Sequence, residues 1–164
     1  MRILKAPNLY IWGNWKAITK YVAIFKDLNT ALLCWHKSNP VPTCSNKYLS
    51  DTEYCLFIRA KGVKVRGGYD DHGTYWVTPL NTADRKQYGH PTPKPVEIIR
   101  RMIRNSSDPG DTVLDPFMGS GSTGCAAVME GRGFIGCEID PGYYRTAEAR
   151  IKGTAARPTL EAYE

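Results

Sequence analysis

Several features are missing from this sequence, and each absence narrows the possibilities. No run of about 18 apolar residues occurs, so no membrane-spanning helix is expected. The first residues, Met1 to Asn8, do not read as a signal peptide. The five cysteines, Cys34, Cys44, Cys55, Cys125 and Cys137, include no Cys-x-x-Cys pair. That argues against zinc and against a disulfide framework, and suits reduced, mostly buried thiols in a cytoplasm. No internal repeat or low-complexity tract is present. Lys and Arg are absent between Asp111 and Gly131. The glycine-rich stretch there lacks the Gly-Lys-Ser/Thr of a phosphate-cradling loop, so a polyphosphate ligand is not expected.

Charge is present and unevenly placed. Residues 1–110 carry 17 Lys and Arg against 8 Asp and Glu, a balance of +9; residues 111–164 carry 5 against 8, a balance of −3. A basic part beside a mildly acidic one suits a polyanionic substrate such as nucleic acid. A solvated basic surface would give the same count. A length of 164 residues with 42% hydrophobic content supports one globular domain.

Periodicity gives the order of elements. Met1 to Lys5 reads as the end of a helix and Leu9 to Trp12 as a buried strand. A helix over Trp15 to Asp27 follows, with Ala17, Ile18, Val22 and Phe25 facing inward. Strands at Thr30–Trp35 and Tyr54–Arg59 form the arms of a long hairpin. Residues 60–89 read as a long loop with one strand near Tyr75–Thr78, and a loop of that length is usually functional or mobile. Prolines keep residues 90–95 extended. A helix then opens at Pro95 or Val96 and runs to Asn105, with Val96, Ile99 and Ile103 on one face and Arg100, Arg101 and Arg104 on the other. Asp108 to Asp111 turns the chain, a last helix covers Tyr143–Ile151, and residues 152–164 form a tail without pattern.

The most informative stretch is Asp111–Asp140. Thr112–Leu114 is a short buried strand. Gly119 and Gly121 permit a tight turn and a close backbone approach to a ligand. Ser122 or Thr123 is placed to cap a helix over Cys125–Glu130, which Gly131 and Gly133 end. Phe134–Cys137 is a second strand, and Glu138 stands at its end, 19 positions after Gly119. In a doubly wound fold an acidic residue at that distance from the glycine loop binds ribose hydroxyls. The pattern points to a pocket for a nucleoside cofactor.

Asp115-Pro-Phe-Met-Gly-Ser-Gly-Ser-Thr-Gly124 resembles the cofactor loop of S-adenosylmethionine-dependent DNA amino-methyltransferases, which act on adenine N6 or cytosine N4. His90-Pro-Thr-Pro-Lys-Pro95 is similar to the segment preceding that loop in the family. Trp35-His-Lys-Ser-Asn39, Asp51–Ile58 and Ile3–Asn14 resemble further family strands, so the likeness covers roughly residues 2–151. It implies a Rossmann-like, three-layer α/β methyltransferase fold, circularly permuted so that the cofactor loop comes late. Residues 1–164 are then one incomplete domain: 1–59 on the target-base side, 60–89 a loop or short recognition region, 90–151 the cofactor part and 152–164 a tail. The family roles carried over give S-adenosyl-L-methionine as cofactor, held by Thr92, Lys94, Asp115, Phe117, Gly119, Gly121, Thr123 and Glu138. Trp35, Lys37 and Asn39 lie toward the target base in DNA.

One departure stands against this likeness. The family chemistry sits in an Asp/Asn/Ser-Pro-Pro-aromatic motif, and no two of the 11 prolines are adjacent. Asp140-Pro-Gly-Tyr143 only looks similar, and Asn39-Pro-Val-Pro42 is no closer. No catalytic residue is therefore assigned within the chain. In the permuted order the motif, with one central strand, is expected upstream of Met1, supplied by an upstream segment or a second polypeptide. The expectation is a truncated or split DNA methyltransferase, of restriction-modification type and cytoplasmic in a bacterium, an archaeon or a phage-infected cell. Adenine N6 is favoured over cytosine N4. The alternatives are a non-catalytic cofactor- and DNA-binding module, and methylation of RNA or a protein glutamine.

Overall fold

The computed structural model describes residues 8–42, 46–80, 82–89 and 91–156. The expected helix end at Met1–Lys5, Cys44 and His90 lie outside them. The chain divides into two compact units, Met1–Val65 with His72–Leu80, and Arg66–Asp71 with Asn81–Glu164.

The first unit is a four-stranded sheet. β1 (Asn8–Gly13), β2 (Asn29–Lys37), β3 (Thr52–Arg59) and β4 (Tyr75–Thr78) lie in the order β1-β3-β2-β4. β3 pairs antiparallel with β1 and β2, so the expected hairpin is present, and β4 pairs parallel with β2. β3 is interior, and its four successive residues Cys55 to Ile58 are all buried, as in a strand shielded on both faces. β1 is an edge strand. Its residues are half-buried rather than buried as expected, because an apolar run marks a strand but not its place in the sheet.

Helix α1 (Trp15–Ile24) covers one face of this sheet. Asn14 caps it, its side chain accepting the Ala17 N–H at 3.0 Å. Ile18 reaches buried Leu56 and Ile58, with Tyr21, Phe25, Leu28, Leu9, Ile11 and Tyr54 packed around them. The helix stops at Ile24, short of Asp27, because Phe25–Leu28 turns back so that both side chains join this cluster. Val22, expected inside, is exposed; Tyr21 takes the inward position. Leu33, Trp35, Cys55, Phe57 and Trp76 are buried on the opposite face.

The second unit contains α2 (Thr82–Tyr88), α3 (Val96–Ser106), β5 (Thr112–Asp115), α4 (Ser122–Met129), β6 (Gly133–Gly136) and α5 (Pro141–Ala155). β5 and β6 pair parallel, and α4 is their crossover. α3 and α5 both pack on α4, whose Cys125, Ala126 and Ala127 are small and fully enclosed. α3 contributes Ile98, Ile99, Met102 and Ile103, so its buried stripe is wider than predicted. α5 starts earlier and ends later than expected. Pro141 occupies its first turn, and Asp140 caps it by accepting the Gly142 and Tyr143 N–H groups. α2 was read as loop; no residue in it is buried, so it has no apolar stripe to recognise.

The arginines of α3 are consumed within this unit. Arg104 grips Asp71 with two donors at 2.8 and 3.1 Å and reaches Glu130 at 2.7 Å. Arg100 binds Glu130 at 2.7 Å, Arg101 lies 3.4 Å from Asp71, and Arg66 holds Asp108 at 2.9 Å. The hydrogen bond from Arg104 holds the Asp71 carboxyl below its ordinary pKa of 3.8, and Asp71 in turn raises that of Arg104.

This predicts a pH dependence. A depressed folded-state pKa stabilises the fold above the ordinary carboxylate value, and that contribution is lost as pH falls through the lower folded value. Asp71→Asn should cost about 1–2 kcal/mol at neutral pH and flatten the fall in stability below the ordinary pKa of 3.8. Urea unfolding from pH 7 down to the acid limb measures both; an unchanged acid limb would show that the pair contributes nothing.

Candidate functional site

The site grows from the C-terminal ends of the two parallel strands. Asp115 ends β5, and its carboxylate accepts the Phe117 N–H at 3.0 Å, turning the chain out of the strand. Backbone bonds continue past the ladder, from Cys137 N to Asp115 O at 2.9 Å and from Met118 N to Cys137 O at 3.0 Å. The loop therefore stays tied to the end of β6. Gly119 and Gly121 then adopt φ of +53° and +82°, a region that costs any L side chain.

Gly121 is the N-cap of α4, with no side chain capping it. Ser122 and Thr123 are the first helical residues rather than the expected caps. The left-handed backbone of Gly121 lets the helix begin immediately after the turn. The first-turn N–H groups have no intrahelical acceptor, which makes this end an acceptor of anions. Cys125 makes the first helical bond, to Gly121 O at 3.0 Å.

Glu138 closes the loop. Its Oε2 accepts the Gly119 N–H at 2.9 Å and its Oε1 the Asp140 N–H at 3.0 Å. It is half-buried, and each ionised oxygen retains capacity for a further donor. Phe117 and Ile139, neighbours in sequence of the two partners of this bond, are highly exposed, at 86% and 98%. Asp115, Gly119 and Gly121 thus lie along one loop, which Glu138 ties to the end of β6. Thr123 lies in the first turn of α4. Thr92 and Lys94 sit on the segment before α3, where Lys94 Nζ donates to the Thr92 carbonyl at 3.4 Å.

Two features were missed in the sequence. Gly124 completes Gly-x-Gly-x-x-Gly spacing with Gly119 and Gly121, and a Cβ there would run into Ile151 and Phe134, so this third glycine permits close helix packing. Arg150 of α5 lies behind the loop. It donates to the Ser120 carbonyl at 3.2 Å and to the Ser122 hydroxyl at 3.2 Å. The loop has no cation within its own sequence, and one reaches it from 28 residues downstream of Ser122. No local signal could reveal it.

The residues expected toward a target base lie in the first unit, and each has a partner there. Trp35 is 2% exposed and its indole N–H donates to the Thr78 hydroxyl at 2.7 Å. Lys37 pairs with Glu53 at 2.9 Å and lies 5.5 Å from the Trp35 ring centroid. Asn39 Oδ1 accepts the Leu80 N–H at 2.5 Å. Among the described cysteines, none of which forms a disulfide, Cys55 and Cys125 are buried, Cys34 is intermediate and Cys137 is exposed. Cys137 is the described thiol that departs from the expected burial, at a position where exposure alternates along the chain.

Comparison with known proteins places these features in context. The sequence profile of a family described as DNA methylase matches residues 13–149. The chain is 36% identical over 141 residues to the type II methyltransferase M2.DpnII of Streptococcus pneumoniae, covering 78% of this chain and 52% of that protein. It is 34% identical over 170 residues to the type II methyltransferase M2.LlaDCHI of Lactococcus lactis subsp. cremoris, covering 92% and 62%. The chain thus spans between half and two thirds of the length of these relatives. Among solved structures, the M1.HpyAVI–SAM complex superposes with a TM-score of 0.74 at 28% identity, covering 87% of this chain and 74% of that one. The cytosine-N4-specific PvuII DNA methyltransferase shares the fold, with a TM-score of 0.61 at 19% identity, covering 87% and 61%.

The loop geometry carries a stability prediction. A Cβ on Gly121 would stand 3.0 Å from the Ala147 Cα at a positive φ. Gly121→Ala should destabilise by about 2–4 kcal/mol, from left-handed strain and overpacking together. Chemical unfolding measures it, and a loss well below 1 kcal/mol would mean that the loop–α5 contact is loose.

Proposed function

The chain belongs to the DNA methylase family, and on that premise we propose that its second unit holds S-adenosyl-L-methionine for methyl transfer to a base amino group in DNA. The observation that carries this reading is the Gly119 N–H to Glu138 hydrogen bond beside the uncapped start of α4. The donor set fits the cofactor. The first-turn N–H groups at Ser122 and Thr123 suit the methionine carboxylate. Glu138 has acceptor capacity left for ribose hydroxyls, and exposed Phe117 offers an apolar face. Asp115, Gly119 and Gly121 shape the methionine end, and Thr92 and Lys94 close the pocket. When bound, the cofactor supplies a methyl group on a sulfonium centre.

Methyl transfer also needs alignment of the amine, whose lone pair is delocalised into the base. The family aligns it with an Asp-Pro-Pro-Tyr-type motif, and these 164 residues contain none. We assign that role to a segment outside them, in the same polypeptide or a second one. Among the described strands β1 pairs with β3 and β5 with β6. Trp35, Lys37 and Asn39 are proposed to flank the target base, with adenine N6 favoured over cytosine N4. A non-catalytic module remains the second reading, favoured by one observation: the side chains of all three are engaged with protein partners.

Transfer of labelled methyl groups to DNA separates the two readings. The 164 residues alone should give no transfer above background. Adding the upstream Asp-Pro-Pro-Tyr-type segment should produce it, and Gly119→Trp should abolish it again. Robust transfer by the 164 residues alone would overturn the assignment of alignment to an outside segment. No transfer after complementation would favour the module.

DNA binding should be salt-sensitive and largely independent of sequence. Exposed cations in the described part of residues 1–110 include Lys16, Lys20, Lys26, Lys47, Lys61, Lys64, Arg85 and Lys86, whereas the α3 arginines are paired internally. About four or five phosphate contacts give a log–log salt slope of about −4. Binding across roughly 50–300 mM salt, over which the Debye length shortens about 2.5-fold, measures it. Absence of binding at the lowest salt would remove the charge argument.

A further inference from the structure

We propose that Arg150 is the positioning residue of the cofactor loop, holding it from behind while Glu138 holds it in front. The inference deepens the cofactor reading above and rests on it for its binding readout. The loop needs such support. Two of its residues, Gly119 and Gly121, have positive φ, and glycine has more backbone freedom to lose than any other residue. The N–H groups aimed at a ligand stay aimed only if the backbone between them is fixed.

Arg150 is built for this. One nitrogen, Nη1, serves the Ser120 carbonyl at 3.2 Å, the Ser120 hydroxyl at 3.4 Å and the Ser122 hydroxyl at 3.2 Å. The other, Nη2, binds the Asp84 carboxylate of α2. The guanidinium lies 4.2 Å from the Tyr88 ring centroid, also on α2. Its side chain is 6% exposed, and Ser120 and Ser122 are 2% and 7% exposed. The two hydroxyls are thus turned to the arginine rather than to solvent. A cation buried this deeply is costly unless paired and hydrogen-bonded, and here its charge, its face and both terminal nitrogens are engaged. It also sits against the first turn of α4, where a positive charge adds to the attraction of the helix end for an anion. The same contacts explain why α2, with no buried residue, has a place: it is the counter-charge and platform for Arg150.

The test measures amide hydrogen exchange across residues 118–124 and S-adenosylmethionine binding by calorimetry, on the full chain. Arg150→Met should speed exchange in that segment and weaken binding, each by about tenfold. Arg150→Lys, keeping the charge and part of the bonding, should recover part of both. Asp84→Asn and Ser122→Ala, which each remove one partner, should shift the same segment in the same direction with smaller effect. Folded Arg150→Met with unchanged exchange and binding would overturn the proposal. If that variant does not fold, Asp84→Asn and Ser122→Ala decide it, and no change in exchange in either would overturn it. Glu138→Gln is the control on the cofactor reading. Absence of binding by the unsubstituted chain would sink that reading, and loop exchange alone would then decide the role of Arg150.

Discussion

The hydrogen bond from the Gly119 N–H to the Glu138 carboxylate, 2.9 Å long, joins the two halves of the βαβ unit where they diverge. A parallel pair needs a crossover helix, and that helix carries the chain away from the sheet just after β5. Without a tie across the strand ends, the turn between β5 and α4 could point in several directions. Glu138 fixes it with one carboxylate oxygen and fixes its own loop, through Asp140, with the other. The donors at the start of α4 and the acceptor at the end of β6 are thereby held in a single arrangement, so the chemistry of the site follows from a contact that is also structural.

Electrostatics in the second unit run inward. Glu130 is the C-cap of α4, an unfavourable place for an acid beside a helix dipole. It is tolerated because Arg100 and Arg104 both reach it at 2.7 Å. Asp71 likewise draws Arg101 and Arg104. The +9 balance of residues 1–110, read from composition as a surface for a polyanion, therefore overstates the charge available outside. Counting charges along a sequence cannot reveal that α3 spends its arginines on Asp71 and Glu130, carboxylates from two other segments.

What was legible and what was not follows from the range of the interactions. β5, α4 and β6 were readable because their signals are local: apolar runs for the strands, Gly119 and Gly121 for the turn, and Gly131 with φ of +69° to end the helix. The cap of α4 was misassigned because serine and threonine are common caps, whereas the left-handed Gly121 already starts the helix. α2 was invisible because it buries nothing and is held by Asp84, 66 positions from its partner Arg150. An aromatic on a strand satisfies a core pattern as well as a base-flanking one, so sequence alone could not place Trp35; its burial and its bond to Thr78 appear only when β4 is laid beside β2.

The same accounting bears on how the amine would be aligned. That task needs an acidic or amide side chain followed by proline, with its acceptor open toward the base. Four such steps occur in the chain, and each has a structural use. Asn39 Oδ1 holds the Leu80 N–H, Asp108 Oδ2 binds Arg66, Asp115 Oδ1 turns the loop through Phe117, and Asp140 Oδ1 caps α5. Side chains of this type readily take such local bonds with neighbouring backbone, and withdrawing one would uncap a helix or release a turn. The cofactor end of the proposed reaction is thus assigned to backbone donors and one carboxylate that these residues supply. The aligning acceptor is a different chemical part, and the physical reason to look for it elsewhere is that every candidate here is already bound.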